Sequence, residues 1–88
     1  MKRNPTLKKL FNIQGGICAY CDREMDYNSV NRPESPTVDH IIPKYIAPEM
    51  KDHEHNLVCA CKQCNNEKGA MPLALFLVQL KYRIPKVA

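Results

Sequence analysis

Apolar positions cluster in four short segments separated by polar, turn-rich stretches. Asn4-Pro5 reads as a helix start, because Asn suits the N-cap and Pro the first helical position. Leu7, Leu10 and Phe11 follow at i, i+3 and i+4. They predict one apolar face of a short helix over residues 4–14, ended by Gly15-Gly16. Thr37–Ile42 is rich in β-branched residues and stops at Pro43, which predicts a strand. Leu57-Val58-Cys59 predicts a second strand. Cys61 to Lys68 has helical composition and ends at Gly69. Pro72 opens a last helix over residues 72–84, stopped by Pro85. Residues 22–36 and 43–56 read as loop, with a little strand in the first. Pro33, Pro36 and Pro48 punctuate them.

The last helix carries two apolar stripes at helical spacing. Leu73, Phe76, Leu77, Leu80 and Ile84 form one; Leu75, Val78 and Tyr82 form the other. Two stripes exceed what one face of a surface helix needs. The expected arrangement is a helix clamped between the N-terminal helix and the central unit. The alternative is that the second stripe covers a partner subunit or a further domain.

With 88 residues the chain has room for one domain, 1–88. A core of that size is a thin source of stability, and small scaffolds add staples such as disulfides or a metal. No apolar run approaches the roughly 20 residues needed to span a bilayer. No apolar signal segment follows Met1-Lys-Arg-Asn-Pro, so neither a membrane nor export is expected and the setting reads as cytoplasmic. In a reducing compartment closely spaced cysteines point to metal thiolates rather than disulfides.

Four of the five cysteines form two pairs, Cys18-x-x-Cys21 and Cys61-x-x-Cys64. Each two-residue spacer lets both sulfurs face one point, and two pairs complete a tetrahedron around Zn²⁺. Four thiolates leave no open position for water, so this zinc is expected to be structural, a staple whose binding energy is folding energy. Cys59 is the odd thiol, expected to point to the opposite side of the strand from Cys61 and so read as a small buried hydrophobe; the alternative puts it in place of Cys61 as a ligand. The segment between the pairs is longer than the 15–20 residues of the simplest four-cysteine modules. It contains Val38-Asp39-His40-Ile41-Ile42-Pro43 and His55-Asn56-Leu57-Val58.

Charge adds one point. The formal net charge is +4, and all nine acids lie between residues 18 and 67. The ends hold Lys2, Arg3, Lys8 and Lys9, then Lys68, Lys81, Arg83 and Lys86, with no acid. Basic arms of this kind suit a polyanion.

Asp39-His40-Ile-Ile-Pro43, then Asn56-Leu-Val-Cys-Ala-Cys61-Lys-Gln-Cys64-Asn65-Asn-Glu-Lys68-Gly69, resembles the HNH endonuclease family, in its subgroup with a four-cysteine zinc. The likeness runs from about Gly15 to Gly69. It implies an α+β fold: a small zinc-stabilised ββα-metal finger, treble-clef-like, with the N- and C-terminal helices as flanking extensions. It also implies a hydrolase that cuts DNA. Phosphodiester cleavage needs a water, a base to take its proton, and a cation to neutralise charge on the phosphate and leaving oxygen. Neutral imidazole titrates near physiological pH, so His40 suits the base. Asp39 and Asn65 offer hard oxygen ligands, suited to Mg²⁺ or Mn²⁺. The resemblance assigns them those roles: His40 general base, Asp39 and Asn65 ligands of one divalent cation, and Asn56 a brace for the loop around His40.

Two features depart from the simplest form of that pattern. Its third letter is Asn65 rather than His, so oxygen ligation is expected. Asp39 and His40 are neighbours, which an ideal strand would face apart. They meet one phosphate if the strand bends there or the cation sits at its edge. Further candidates are His53 and His55 as extra ligands or a spare acid, Lys44 and Lys68 as phosphate contacts or plain surface lysines, and Asn66 and Glu67 around the metal. The competing functions are a non-catalytic zinc-stabilised nucleic-acid-binding module and a protein-interaction domain built on the last helix.

Overall fold

The computed structural model describes residues 4–83. Lys2, Arg3, Ile84, Pro85 and Lys86, used above for the charged arms and the end of the last helix, lie outside the described residues. The elements run α1 (Pro5–Ile13), β1 (Pro36–His40), β2 (Leu57–Cys61), α2 (Lys62–Lys68) and α3 (Leu73–Arg83). Short 3₁₀ turns at Pro48–Met50 and Glu54–Asn56 lie between the strands.

Asn4 caps α1 as expected, its side chain accepting from the Thr6 N–H at 2.7 Å. Beyond α1 the chain turns through Gly15 and Gly16, both at positive φ. Gly16 is the tighter of the two: besides the positive φ, a Cβ there would stand 3.0 Å from the Phe11 ring, which would have to give way. The Met25 N–H then reaches back to the Gly16 carbonyl, and Cys18 N–H to that of Arg23, closing a small hairpin around Cys18–Cys21.

β1 and β2 pair antiparallel, with Asp39 opposite Val58 and His40 opposite Leu57. β1 ends at His40, two residues earlier than the sequence predicts. Beyond it Asn56 takes over: its carbonyl accepts from Ile41 N–H and its side-chain oxygen from Ile42 N–H. β2 runs two residues further than expected, to Cys61, and passes directly into α2. β1, β2 and α2 thus make the expected ββα unit.

The core of the described residues is small: Leu7, Met25, Ala60, Phe76 and the thiols of Cys18, Cys59, Cys61 and Cys64. Cys59 is buried as expected, its sulfur 4.0 Å from that of Met25. Two residues apart on a strand, Cys59 and Cys61 share a face of the pleat. Strand alternation therefore does not keep Cys59 from the metal cluster. Cys61 stands at the strand's end, where it becomes the N-cap of α2.

α3 departs from expectation. It is not clamped between α1 and the centre. Phe76 alone is fully buried, edge-to-face with Tyr20 at 5.4 Å, with Leu73 and Leu80 half-buried beside it. Leu75, Leu77, Val78 and Tyr82 are exposed. Burying one Phe is worth about 1.5–3 kcal/mol, enough to dock the helix through Phe76 while Leu77 of the same stripe and the whole second stripe stay exposed.

Candidate active site and metal centre

The four sulfurs of Cys18, Cys21, Cys61 and Cys64 all lie within 4.8 Å of one another. The Cys21 and Cys61 sulfurs stand 3.9 Å apart. A tetrahedron with metal–sulfur bonds of about 2.3 Å has edges of about 3.8 Å, so the set fits an ion such as zinc. Backbone amides support the thiolate state. Burial pushes the Cys18 thiol up, but N–H groups of Cys21, Cys61 and Tyr20 aimed at its sulfur bring the net shift below the ordinary value. Cys64 lies well above it, chiefly through burial and then through the neighbouring Cys18 charge. A bound cation offsets that crowding of negative charge.

The same elements build a second centre. Asp39, His40 and Asn65 line one open cleft of about 500 Å³, with Val38, Pro43 and Lys44. The neighbours Asp39 and His40 both line it, Asp39 buried and His40, the last residue of β1, half-buried. Asn65 follows Cys64 on α2, so the sulfur cluster sets the helix that carries it. Its amide orientation follows from its partners. The Thr37 hydroxyl donates to Ala60 O at 2.8 Å and so accepts from Asn65 Nδ2 at 2.8 Å. The Val38 carbonyl lies 3.5 Å from the same nitrogen. Both demand a donor, which turns the NH₂ to the strand and spares Oδ1.

Asp39 is arranged alike. Its Oδ2 accepts from the Tyr20 hydroxyl and lies 3.1 Å from Lys68 Nζ. Oδ1 takes neither. Among the described residues no buried side-chain polar atom lacks a partner, so Oδ1 is open to solvent. Burial, then the bond to Asp39, holds the Tyr20 phenol far above its ordinary value, so it serves as a neutral donor. Lys68 corrects the sequence reading. It is neither a surface lysine nor a phosphate contact: it is 2% exposed, and its ammonium also donates to the His40 carbonyl at 2.8 Å.

With this geometry the comparison with known proteins is informative. A family model described as HNH endonuclease matches residues 18–71, which contain both cysteine pairs and the whole cleft triad. The chain belongs to the HNH endonuclease family. It is similar to the Septu protein PtuB of Bacillus thuringiensis, 32% identical over 60 residues. That match covers 68% of this chain and 22% of PtuB. The fold is similar to part of the crystal structure of the Type II-C Cas9 enzyme from Actinomyces naeslundii, with a TM-score of 0.65 and 28% identity. It covers 81% of this chain and 7% of that one. The chain therefore spans about a fifth of PtuB and a still smaller part of Cas9.

Within this HNH unit Asn56 sits behind His40. It is 2% exposed, and its Nδ2 donates to the Ile42 and Met50 carbonyls, both at 3.2 Å. Together with the Ile42 N–H bond these ties hold the turn after His40 against the Pro48–Met50 turn. Asn56→Ala leaves a buried donor and acceptors without partners. Urea denaturation is expected to show a loss of about 2–4 kcal/mol, the range for breaking such a network.

The remaining candidates lie elsewhere. His53 and His55 are exposed, their rings 5.3 Å apart, and do not line the cleft. Asn66 and Glu67 face a separate surface hollow with Arg32 and Lys62. Lys44 lines the cleft and is exposed. Two contributors were not singled out from sequence. Tyr20 is the spacer residue of a cysteine pair, and its signal is an aromatic with a polar tip inside a metal knuckle. Gln14 pairs its amide with both backbone groups of Cys59, at 2.8 Å each, as a neighbouring strand would. Nothing in the local sequence marks it.

Proposed function

We propose that the chain is a metal-dependent endonuclease hydrolysing DNA phosphodiester bonds. His40 is the general base, Asp39 and Asn65 hold one Mg²⁺ or Mn²⁺, and Cys18, Cys21, Cys61 and Cys64 hold a structural Zn²⁺. The observation that carries this reading is the convergence of an imidazole, a carboxylate with one spared oxygen and a carboxamide with one spared oxygen on a single open cleft. Family membership and the likeness to a Cas9 enzyme support the reaction class.

A bound divalent ion supplies charge neutralisation at the phosphate and the leaving oxygen. His40 takes the proton from the attacking water. Asp39 and Asn65 present their hard oxygens from β1 and α2, and the buried brackets behind them, Lys68, Tyr20 and Thr37, fix which atom each presents. The openness of the cleft suits a nucleic-acid backbone rather than a small enclosed substrate. Exposed Lys8, Lys9, Lys44 and Lys81 suit a polyanion. Among the described residues no helix is long and apolar enough to cross a membrane.

Zinc-loaded protein incubated with supercoiled plasmid is expected to convert it to nicked or linear DNA when Mg²⁺ or Mn²⁺ is added, and not without them. Folded protein that shifts DNA on a gel yet never cuts it with either ion overturns the nuclease in favour of the non-catalytic binding module.

A further inference from the structure

The cleft holds an unusual charge balance for a divalent-cation site. Asp39 is the one acid among its lining residues. Its carboxylate already faces the buried ammonium of Lys68 at 3.1 Å, where the two side chains are 8% and 1% exposed. Asn65 is neutral, and the lining residue Lys44 adds a further positive charge. Among the side chains that line the cleft or touch Asp39, the one carboxylate charge is therefore already matched by an ammonium. A buried, unscreened ammonium repels a divalent ion at short range.

The geometry of the pair is nonetheless well made for a metal. Lys68 and Tyr20 both attach to Oδ2, so the carboxylate is held by one oxygen and Oδ1 is left without a protein partner. Lys68 is held from the other side by the His40 carbonyl, so it is fixed to the strand that carries both cleft residues. The site has the right atoms in place and lacks charge. A phosphodiester supplies what is missing: one negative charge and non-bridging oxygens of the hard type that Mg²⁺ and Mn²⁺ accept.

We infer that Lys68 is a positioning residue that makes cation binding depend on the nucleic acid: the free protein holds the divalent ion weakly, and the ion and the scissile phosphate bind together. This rests on the nuclease reading of the cleft. It gives the site a built-in order, because an ion held only in the presence of a phosphate is not occupied by stray metal in the absence of DNA. By linkage, the factor by which DNA tightens the ion equals the factor by which the ion tightens DNA.

The test uses zinc-loaded His40→Ala protein, which binds without cutting, and Mn²⁺ as probe. Free Mn²⁺ is read by electron paramagnetic resonance in titrations of the protein alone and of its complex with a short duplex, with the duplex-only curve subtracted. The complex is expected to bind one Mn²⁺ at least about tenfold more tightly than the free protein, the least that restoring one negative charge at short range should give. Asp39→Asn added to the complex is expected to remove the tight site, which separates it from ions condensed on DNA. Lys68→Met is expected to bind Mn²⁺ at least about tenfold more tightly than its parent without DNA. If that variant does not fold, the two titrations of the parent decide alone. Equal affinity with and without duplex overturns the inference, and if the protein with His40 intact still nicks plasmid, the nuclease reading survives. No Mn²⁺ site in either state, together with no nicking, removes the nuclease reading and the inference with it.

Discussion

Cys61→Ser is expected to abolish zinc binding and folding together. Cys61 has four structural tasks. It is fully buried in the core, it ends β2, its sulfur caps α2 by accepting the Cys64 N–H at 3.4 Å, and that sulfur stands in the four-sulfur cluster. A serine oxygen can still cap the helix, so the cap is not what is lost. The metal is what is lost. Structural zinc in small modules is worth about 10–16 kcal/mol, against a total stability of about 5–15 kcal/mol for ordinary domains. The buried apolar set offers little to offset that: beyond its cysteines it consists of Leu7, Met25, Ala60 and Phe76. Cys21→Ser separates metal from packing, because Cys21 is the exposed member of the cluster and contributes little to the core. Both variants are expected to lose the cooperative thermal transition by circular dichroism and to carry less than one zinc by atomic absorption. A folded, zinc-free Cys61→Ser protein would refute the structural role of the ion.

The parts that could be read from sequence are those set by local chemistry. Asn4-Pro5 predicts α1 because capping depends on two adjacent residues. The paired cysteines predict the cluster because a two-residue spacer is a local geometric constraint, and the sulfurs do meet. The cleft triad was legible because its residues belong to one ordered pattern, and the structure does bring Asp39, His40 and Asn65 to one surface.

What was not legible depends on contacts between distant parts of the chain. Lys68 looks like a helix-end lysine, and only the fold shows that α2 packs its last turn under β1, where the ammonium meets Asp39. Gln14 acts through Cys59, 45 positions away. β1 ends early because the Asn56 side-chain oxygen takes the Ile42 N–H while its main-chain carbonyl takes that of Ile41, and β-propensity contains no such term. The apolar spacing of Leu73–Leu80 predicts the helix α3, yet within one stripe Phe76 is buried and Leu77 exposed. Which stripe meets the core was decided by Phe76 finding the Tyr20 ring, an event of packing rather than of periodicity. Tyr20 therefore links three regions: it lies within a cysteine pair, packs against α3 and donates to Asp39. Mechanical continuity between the sulfur cluster and the cleft runs through this ring as well as through α2.

His40→Ala is expected to leave the fold and zinc intact while cutting DNA at least about a hundredfold more slowly, the scale on which a positioned general base acts. The main chain at this position is secured without the imidazole. The His40 carbonyl accepts from Lys68 Nζ, and the turn that follows is tied to Asn56 through Ile41 and Ile42. The ring itself is half-buried at the mouth of the cleft, so its removal opens no sealed cavity. Asp39 and Asn65 keep their own anchors on Lys68, Tyr20 and Thr37, and none of those bonds runs through the imidazole. The deficit should therefore fall on the chemical step. Single-turnover nicking with protein in excess is expected to slow, while duplex affinity by fluorescence anisotropy and the thermal midpoint stay close to the parent's. Cleavage by His40→Ala at the parental rate would remove His40 from the mechanism and leave the attacking water to another base.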